Sequence, residues 1–135
     1  MSQNNLGQIL WTDLTVENAE QVRDFYAAVV GWSFEPVSMG EYDDFMMIAK
    51  GQRPTHSPEQ ATRVVGVCHA RGDNAGLPAQ WLNYFGVADI EASRSAVIAH
   101  DGKLRSDVKS YGASKYCVIE DPAGAVCALY ESNEG

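Results

Sequence analysis

The chain has 135 residues, a formal charge of −8, 45% hydrophobic residues and 21% charged ones. That length suits one domain able to bury roughly two-thirds of its unfolded surface, and the composition is globular rather than disordered. The acidic balance argues against nucleic acid, and no apolar run approaches the roughly 20 residues of a membrane span, so neither is expected as a partner. Residues Met1 to Asn5 have neither the basic flank nor the apolar stretch of a secretion signal. Cys68, Cys117 and Cys127 are odd in number and lie in apolar segments, so reduced buried thiols and a cytoplasmic location are expected.

In chain order, residues 8–16 favour a β-strand and lead to a polar cap at Asn18. Val22, Phe25, Tyr26 and Val29 then fall at helical spacing and predict one apolar stripe, closed by Gly31. Trp32 to Val37 and Tyr42 to Ile48 read as strands joined by a turn at Met39-Gly40. Gly51 to Ala61, with Pro54 and Pro58, reads as a loop, followed by a strand from Arg63 to Ala70 and a connection from Arg71 to Pro78.

The order then repeats. A strand at Trp81 to Val87 precedes a cap at Asp89 and a helix that places Ser93, Ala96, Val97 and His100 on one stripe. Strands follow at Lys103 to Lys109, Lys115 to Glu120 and Ala125 to Tyr130, with Asp121-Pro122-Ala123-Gly124 as a tight turn. The caps Asn18 and Asp89, the terminators Gly31 and Gly102, and Val16 and Val87 are all 71 positions apart. An internal repeat of β-α-β-β-β units is therefore expected, with each helix on one sheet face and the opposite faces curving into a cup.

Alternation along the strands assigns the cup lining. Leu10, Leu14 and Val16 face the first helix, which leaves Trp11, Asp13 and Thr15 in the cup. Phe85 and Val87 pack under the second helix, leaving Leu82, Tyr84 and Gly86. Cys127 and Leu129 face the helix, and Val126, Ala128 and Tyr130 face the cup.

The paired units, Phe25-Tyr26 followed by Gly31-Trp32, and the Asp-Pro-x-Gly turn before the last strand resemble the vicinal oxygen chelate superfamily over nearly the whole chain. That superfamily includes glyoxalase I, bleomycin resistance proteins and extradiol dioxygenases. The resemblance implies an α+β fold in which two βαβββ modules form a cupped mixed sheet with the helices outside, and it implies a homodimer. Residues 1–135 would form a single domain, with module one at about 6–70, a linker at 71–79 and module two at about 80–132. In metal-using members the ligands stand seven residues before each helix cap and seven after the late turn Asp. Those positions hold Trp11, Leu82 and Ala128 here, none of which coordinates a divalent cation. No metal and no cofactor are expected.

Asp13 and His69 are the catalytic candidates. Asp13, facing a partly apolar cup, suits a base or hydrogen-bond donor, or a structural bond to Tyr84 or a backbone group. His69 and Arg71 suit a polar anchor at the rim, Arg71 gripping a carboxylate; the alternative is a His bonded to backbone and an Arg paired with Asp73. Trp11, Tyr84, Tyr116 and Tyr130 suit either an aromatic ligand wall or core filler, with Leu82 and Ala128 completing the lining. His56 reads as exposed, His100 as structural, and Glu41, Asp43 and Asp44 as a solvated strand edge. The leading expectation is binding of a small organic molecule without the usual metal. The alternatives are a lyase or isomerase using substitute ligands such as Asp13, His69 and Glu120, and a regulatory or interaction module whose cup is filled by its own side chains.

Overall fold

Alternation of apolar side chains makes β1 (Ile9–Val16) lie with one face under α1 (Ala19–Val30). The computed structural model describes residues 6–51, 65–72 and 75–132. Most of the loop expected at 51–61, including His56, and the start of the strand expected from Arg63 lie outside the described residues. The chain divides into two compact units, Trp11–Trp81 and Leu82–Gly135, the latter joined by Met1–Leu10.

In the Trp11–Trp81 unit, β1 and α1 are followed by β2 (Ser33–Ser38), β3 (Asp43–Ile48) and β4 (Val65–His69), in the sheet order β2-β3-β4-β1. β4 runs parallel to β1, pairing Leu14 with Val67 and Val16 with His69, and antiparallel to β3, pairing Phe45 with Val67. On the α1 face Leu14, Val16, Phe45, Met47 and Val67 are buried with Ala19, and Val22, Tyr26, Trp32, Val65 and Trp81 pack against them. Each large apolar side chain so buried contributes about 1.5–3 kcal/mol. Tyr26 ties this core together: its ring lies 5.9 Å from Trp32 and 5.3 Å from Trp81, and its hydroxyl accepts from Trp81 Nε1 at 3.3 Å.

The apolar stripe of α1 is only half buried. Phe25 is 56% and Val29 64% exposed, because the small Ala19, 0% exposed, turns the inward face toward the row Ala19, Val22, Tyr26. Gly31 closes the helix in the left-handed conformation at φ 85°. Asn18 occupies the cap position but gives no side-chain cap bond; its Nδ2 donates instead to Gln21 Oε1 at 2.9 Å.

The second unit contains β5 (Trp81–Gly86), α2 (Ile90–Ala99), β6 (Lys103–Leu104), β7 (Lys109–Tyr111), β8 (Ser114–Glu120) and β9 (Val126–Glu131). Its strand order is β5-β9-β8-β6, with β7 also on β8. Ile90, Cys117 and Leu129 form the core under α2, joined by Phe85, Val87, Val108 and Ile119. The parity expected for Phe85, Val87 and Leu129 is the one observed. Asp89 caps α2 through bonds from the Glu91 and Ala92 amides at 3.0 and 3.1 Å.

Two expectations in this unit change. The strand expected at 103–109 is interrupted, because Arg105 and Ser106 both donate their amides to the Val118 carbonyl while Val118 N donates to Ser106 Oγ at 2.9 Å. A side chain thus replaces a ladder partner and splits the strand. His100 is exposed at the end of α2 rather than inward, and the inward row is Ile90, Ser93, Arg94 and Val97. The left-handed residue after α2 is Asp101 at φ 71°, not Gly102. Gly102 is needed for room: a Cβ there would lie 2.8 Å from both the Glu120 carbonyl oxygen and Val97 Cγ1.

The fold is α+β, a βαβββ unit followed by a second whose second strand is split. Among the described residues no helix is long and apolar enough to cross a membrane.

These differences give a paired test by urea unfolding. Asp89→Ala removes two cap bonds and is expected to cost about 1 kcal/mol, whereas Asn18→Ala, which removes no cap bond, costs less than about 0.5 kcal/mol. Gly102→Ala is expected to cost about 2 kcal/mol through crowding against backbone.

Candidate functional site

Sheet alternation in the Trp11–Trp81 unit separates two groups of polar side chains. Asp13 pairs with Gly66, which pairs with Met46, on the face turned away from α1. A Cβ at Gly66 would strike the Asp13 carboxylate, so the missing side chain is what makes room for it. Trp11 Nε1 donates to Asp13 Oδ2 at 3.2 Å. Thr15, buried, pairs with Cys68 on the same face.

Burial pushes the Asp13 carboxyl up from 3.8 to about 6; the Trp11 bond opposes the rise and the nearby Asp44 charge adds to it. Burial, with Asp13 and Asp44 nearby, also pushes the Cys68 thiol well above its usual value. Cys68 is therefore a packing residue rather than a nucleophile.

His69 and Arg71 lie elsewhere. His69 shares the α1 face with Val67, its ring 6.0 Å from Phe45 and 5.2 Å from Tyr42. Beside the first turns of α1, a cleft of about 580 Å³ is lined by Glu20, Arg23, Phe34, Tyr42, His69 and Arg71, among others. Arg71 lies 4.1 Å over the Tyr42 ring, and Arg23 lies 4.4 Å over Phe34 and 4.6 Å over Phe45. The expected partner of Arg71, Asp73, lies outside the described residues. Asp13 and His69 are thus on opposite sheet faces and do not form one catalytic pair.

Asp44 connects the two groups, and it is not the solvated edge residue expected from its neighbours. It is 7% exposed, and its Oδ1 accepts from the His69 amide at 2.8 Å and lies 3.3 Å from His69 Nδ1. Glu41 and Asp43 are exposed as expected. Sequence reasoning missed Asp44, Gly66, Arg23 and Tyr42. The near-continuous apolar run after Asp44, marking a strand buried on both faces, was the available signal.

In the second unit Leu82, Tyr84, Ala128 and Tyr130 take the parity opposite to the α2 core and are all buried, Leu82 and Ala128 at 0% exposure. Tyr84 and Tyr116 rings lie 6.4 Å apart. They form close-packed apolar surface.

The residues do not fit the metal that the superfamily implies. The indole N–H of Trp11 is a donor already committed to Asp13, and Leu82 and Ala128 offer only hydrocarbon. The substitute ligands do not gather either: Glu120 Oε1 pairs with Arg105 at 2.8 Å. Among the described residues no three His, Cys, Asp or Glu side chains are placed to hold an ion.

Asp13 makes stability pH-dependent with a definite sign. Between pH 3.8 and about 6 the unfolded chain ionises while the folded chain keeps its proton, so stability falls as pH rises through that window. Asp13→Asn keeps the acceptor for Trp11 and removes the ionisation. The variant is expected to match the parent below pH ~4 and to exceed it by about 3 kcal/mol above pH ~6, as measured by denaturant unfolding across pH.

The chain matches the model of the Glyoxalase/Bleomycin resistance protein/Dioxygenase superfamily over residues 8–129. It is 25% identical over 129 residues to CFP32 of Mycobacterium tuberculosis (strain CDC 1551 / Oshkosh), covering 93% of this chain and 44% of that protein. It is 27% identical over 133 residues to the anthracycline biosynthesis protein DnrV of Streptomyces peucetius, covering 92% and 46%. The chain therefore spans less than half the length of these curated relatives. Among solved structures, a variant of Streptomyces coelicolor methylmalonyl-CoA epimerase in complex with 2-nitronate-propionyl-CoA matches with a TM-score of 0.58 at 16% identity, covering 96% of this chain and 99% of that one. A superfamily member from Vibrio splendidus 12B01 matches with a TM-score of 0.56 at 17% identity, covering 90% and 96%. The fold, the repeated βαβββ order and the span of the family match agree: the chain belongs to the glyoxalase/bleomycin resistance protein/dioxygenase superfamily.

Proposed function

We propose that this chain binds a small organic molecule on the strand face opposite α1, with Asp13 as the polar anchor and without the metal site of its superfamily. The observation that carries this reading is the Asp13 carboxyl, seated over Gly66 and raised to about 6 by burial. A polar group held in an apolar surround is what fixes the orientation of an organic ligand. In this reading the chain works as one domain, in the cytoplasm and as a homodimer; the family resemblance supports the dimer, which light scattering tests directly.

The raised carboxyl also favours a second reading, acid–base catalysis by Asp13, since a base working near neutral pH needs such a value. The two readings separate in D₂O. Wash-in of deuterium next to a carbonyl, catalysed by the parent and lost in Asp13→Asn, marks the enzyme; binding without exchange marks the binder.

A thermal-shift screen of planar small molecules tests the leading reading. At least one compound is expected to stabilise the parent, and Asp13→Asn is expected to weaken that compound about tenfold, the loss of one hydrogen bond to an ionisable group. A panel in which nothing binds overturns the proposal. So does elemental analysis finding about one tightly held divalent ion per chain after reconstitution.

A further inference from the structure

The geometry points to a second ligand site, the cleft beside the first turns of α1, which would take a small carboxylic acid carrying a hydroxyl or ammonium group next to its carboxylate. The cleft lies on the α1 face of the sheet and Asp13 on the other, so this site is independent of the one proposed above. Its volume of about 580 Å³ falls within the roughly 300–1,000 Å³ of small-molecule sites.

Arg71 supplies the anion grip. Its guanidinium carbon lies 4.1 Å from the centroid of the Tyr42 ring, and among the described residues it makes no ion pair. A guanidinium held by a ring contact alone keeps N–H donors for a carboxylate. Arg23 is less available, because its Nε already donates to Asp24 Oδ1 at 2.9 Å.

His69 supplies the complementary acceptor. Asp44 Oδ1 lies 3.3 Å from Nδ1, and in the tautomer that carries its proton on Nδ1 the Nε2 lone pair is left to accept a hydrogen bond. Among the described residues Nε2 has no partner and is not a buried unsatisfied atom, and His69 lines the cleft. His69 and Arg71 both contact the Tyr42 ring, at 5.2 and 4.1 Å, and both line the cleft. A donor fork beside an acceptor matches a carboxylate with a hydroxyl or ammonium on the next carbon.

An organic cation fits less well. The aromatic faces of Phe34, Phe45 and Tyr42 already carry the protein's own guanidinium groups. The carboxylates of Glu20, Glu41 and Asp43 line the same cleft on exposed residues, as Arg71 does, so solvent screens them and its guanidinium alike.

Amide chemical-shift titration with mandelate and phenylglycine tests the site, with phenylacetate and benzylamine as comparisons. Mandelate or phenylglycine is expected to saturate and to move the signals of Tyr42, His69 and Arg71. Whichever of the two binds more tightly identifies the hydroxy or amino class, and phenylacetate, lacking the donor, binds more weakly. Arg71→Met, a change at an exposed position, is expected to weaken binding about tenfold or more. The proposal is overturned if neither acid saturates, if Arg71→Met binds as well as the parent, or if benzylamine binds as tightly as the acids.

Discussion

A strand shows only every other side chain to a given face, and β4 is bounded on both sides by other strands, β1 and β3. Its residues must therefore serve two surroundings in strict alternation. Val65, Val67 and His69 belong to the α1 side, while Gly66 and Cys68 belong to the other. The placement of Asp13 and His69 follows from that division. Asp13 has room for its carboxylate because position 66 carries no side chain, and His69 reaches the cleft because it continues the parity of Val67 past the end of the apolar core.

Among the described residues, Asp44 is the carboxylate that both surroundings feel. Its oxygen holds the amide and ring of His69, and its charge discourages ionisation of Asp13. A buried carboxylate needs such donors to be tolerated at all, and the His69 amide is fixed in place by the sheet. Replacing Asp44 would disturb both sides at once, so effects there do not report on either site alone.

The element order was legible because Asn18 and Asp89, Gly31 and Gly102 punctuate the chain at equal spacing. The detailed role of each punctuation mark was not. Asp89 caps and Asn18 does not; Gly31 adopts a left-handed turn, while Gly102 relieves a close approach of backbone from Glu120. Such differences arise from neighbours far away in sequence, which spacing does not encode. The same holds for the site. Strand parity placed Asp13 correctly on the face away from α1, yet it did not tell that His69, the other catalytic candidate, lies on the opposite face. The parallel register of β1 and β4, which sets them on opposite faces, becomes visible only in three dimensions. Arg23 and Tyr42 gave no motif, since a guanidinium stacked on a ring is a tertiary contact.

The Ser106 hydroxyl that takes a backbone partner's place on β8 also shapes what the margin of the second unit can do. β6, the outermost strand in the order β5-β9-β8-β6, is only two residues long, and the chain rejoins β8 after the interruption as the three-residue β7. A short, interrupted margin offers an incoming chain few consecutive amides and carbonyls to zip onto, so uncontrolled growth by edge-to-edge aggregation is blunted at this border.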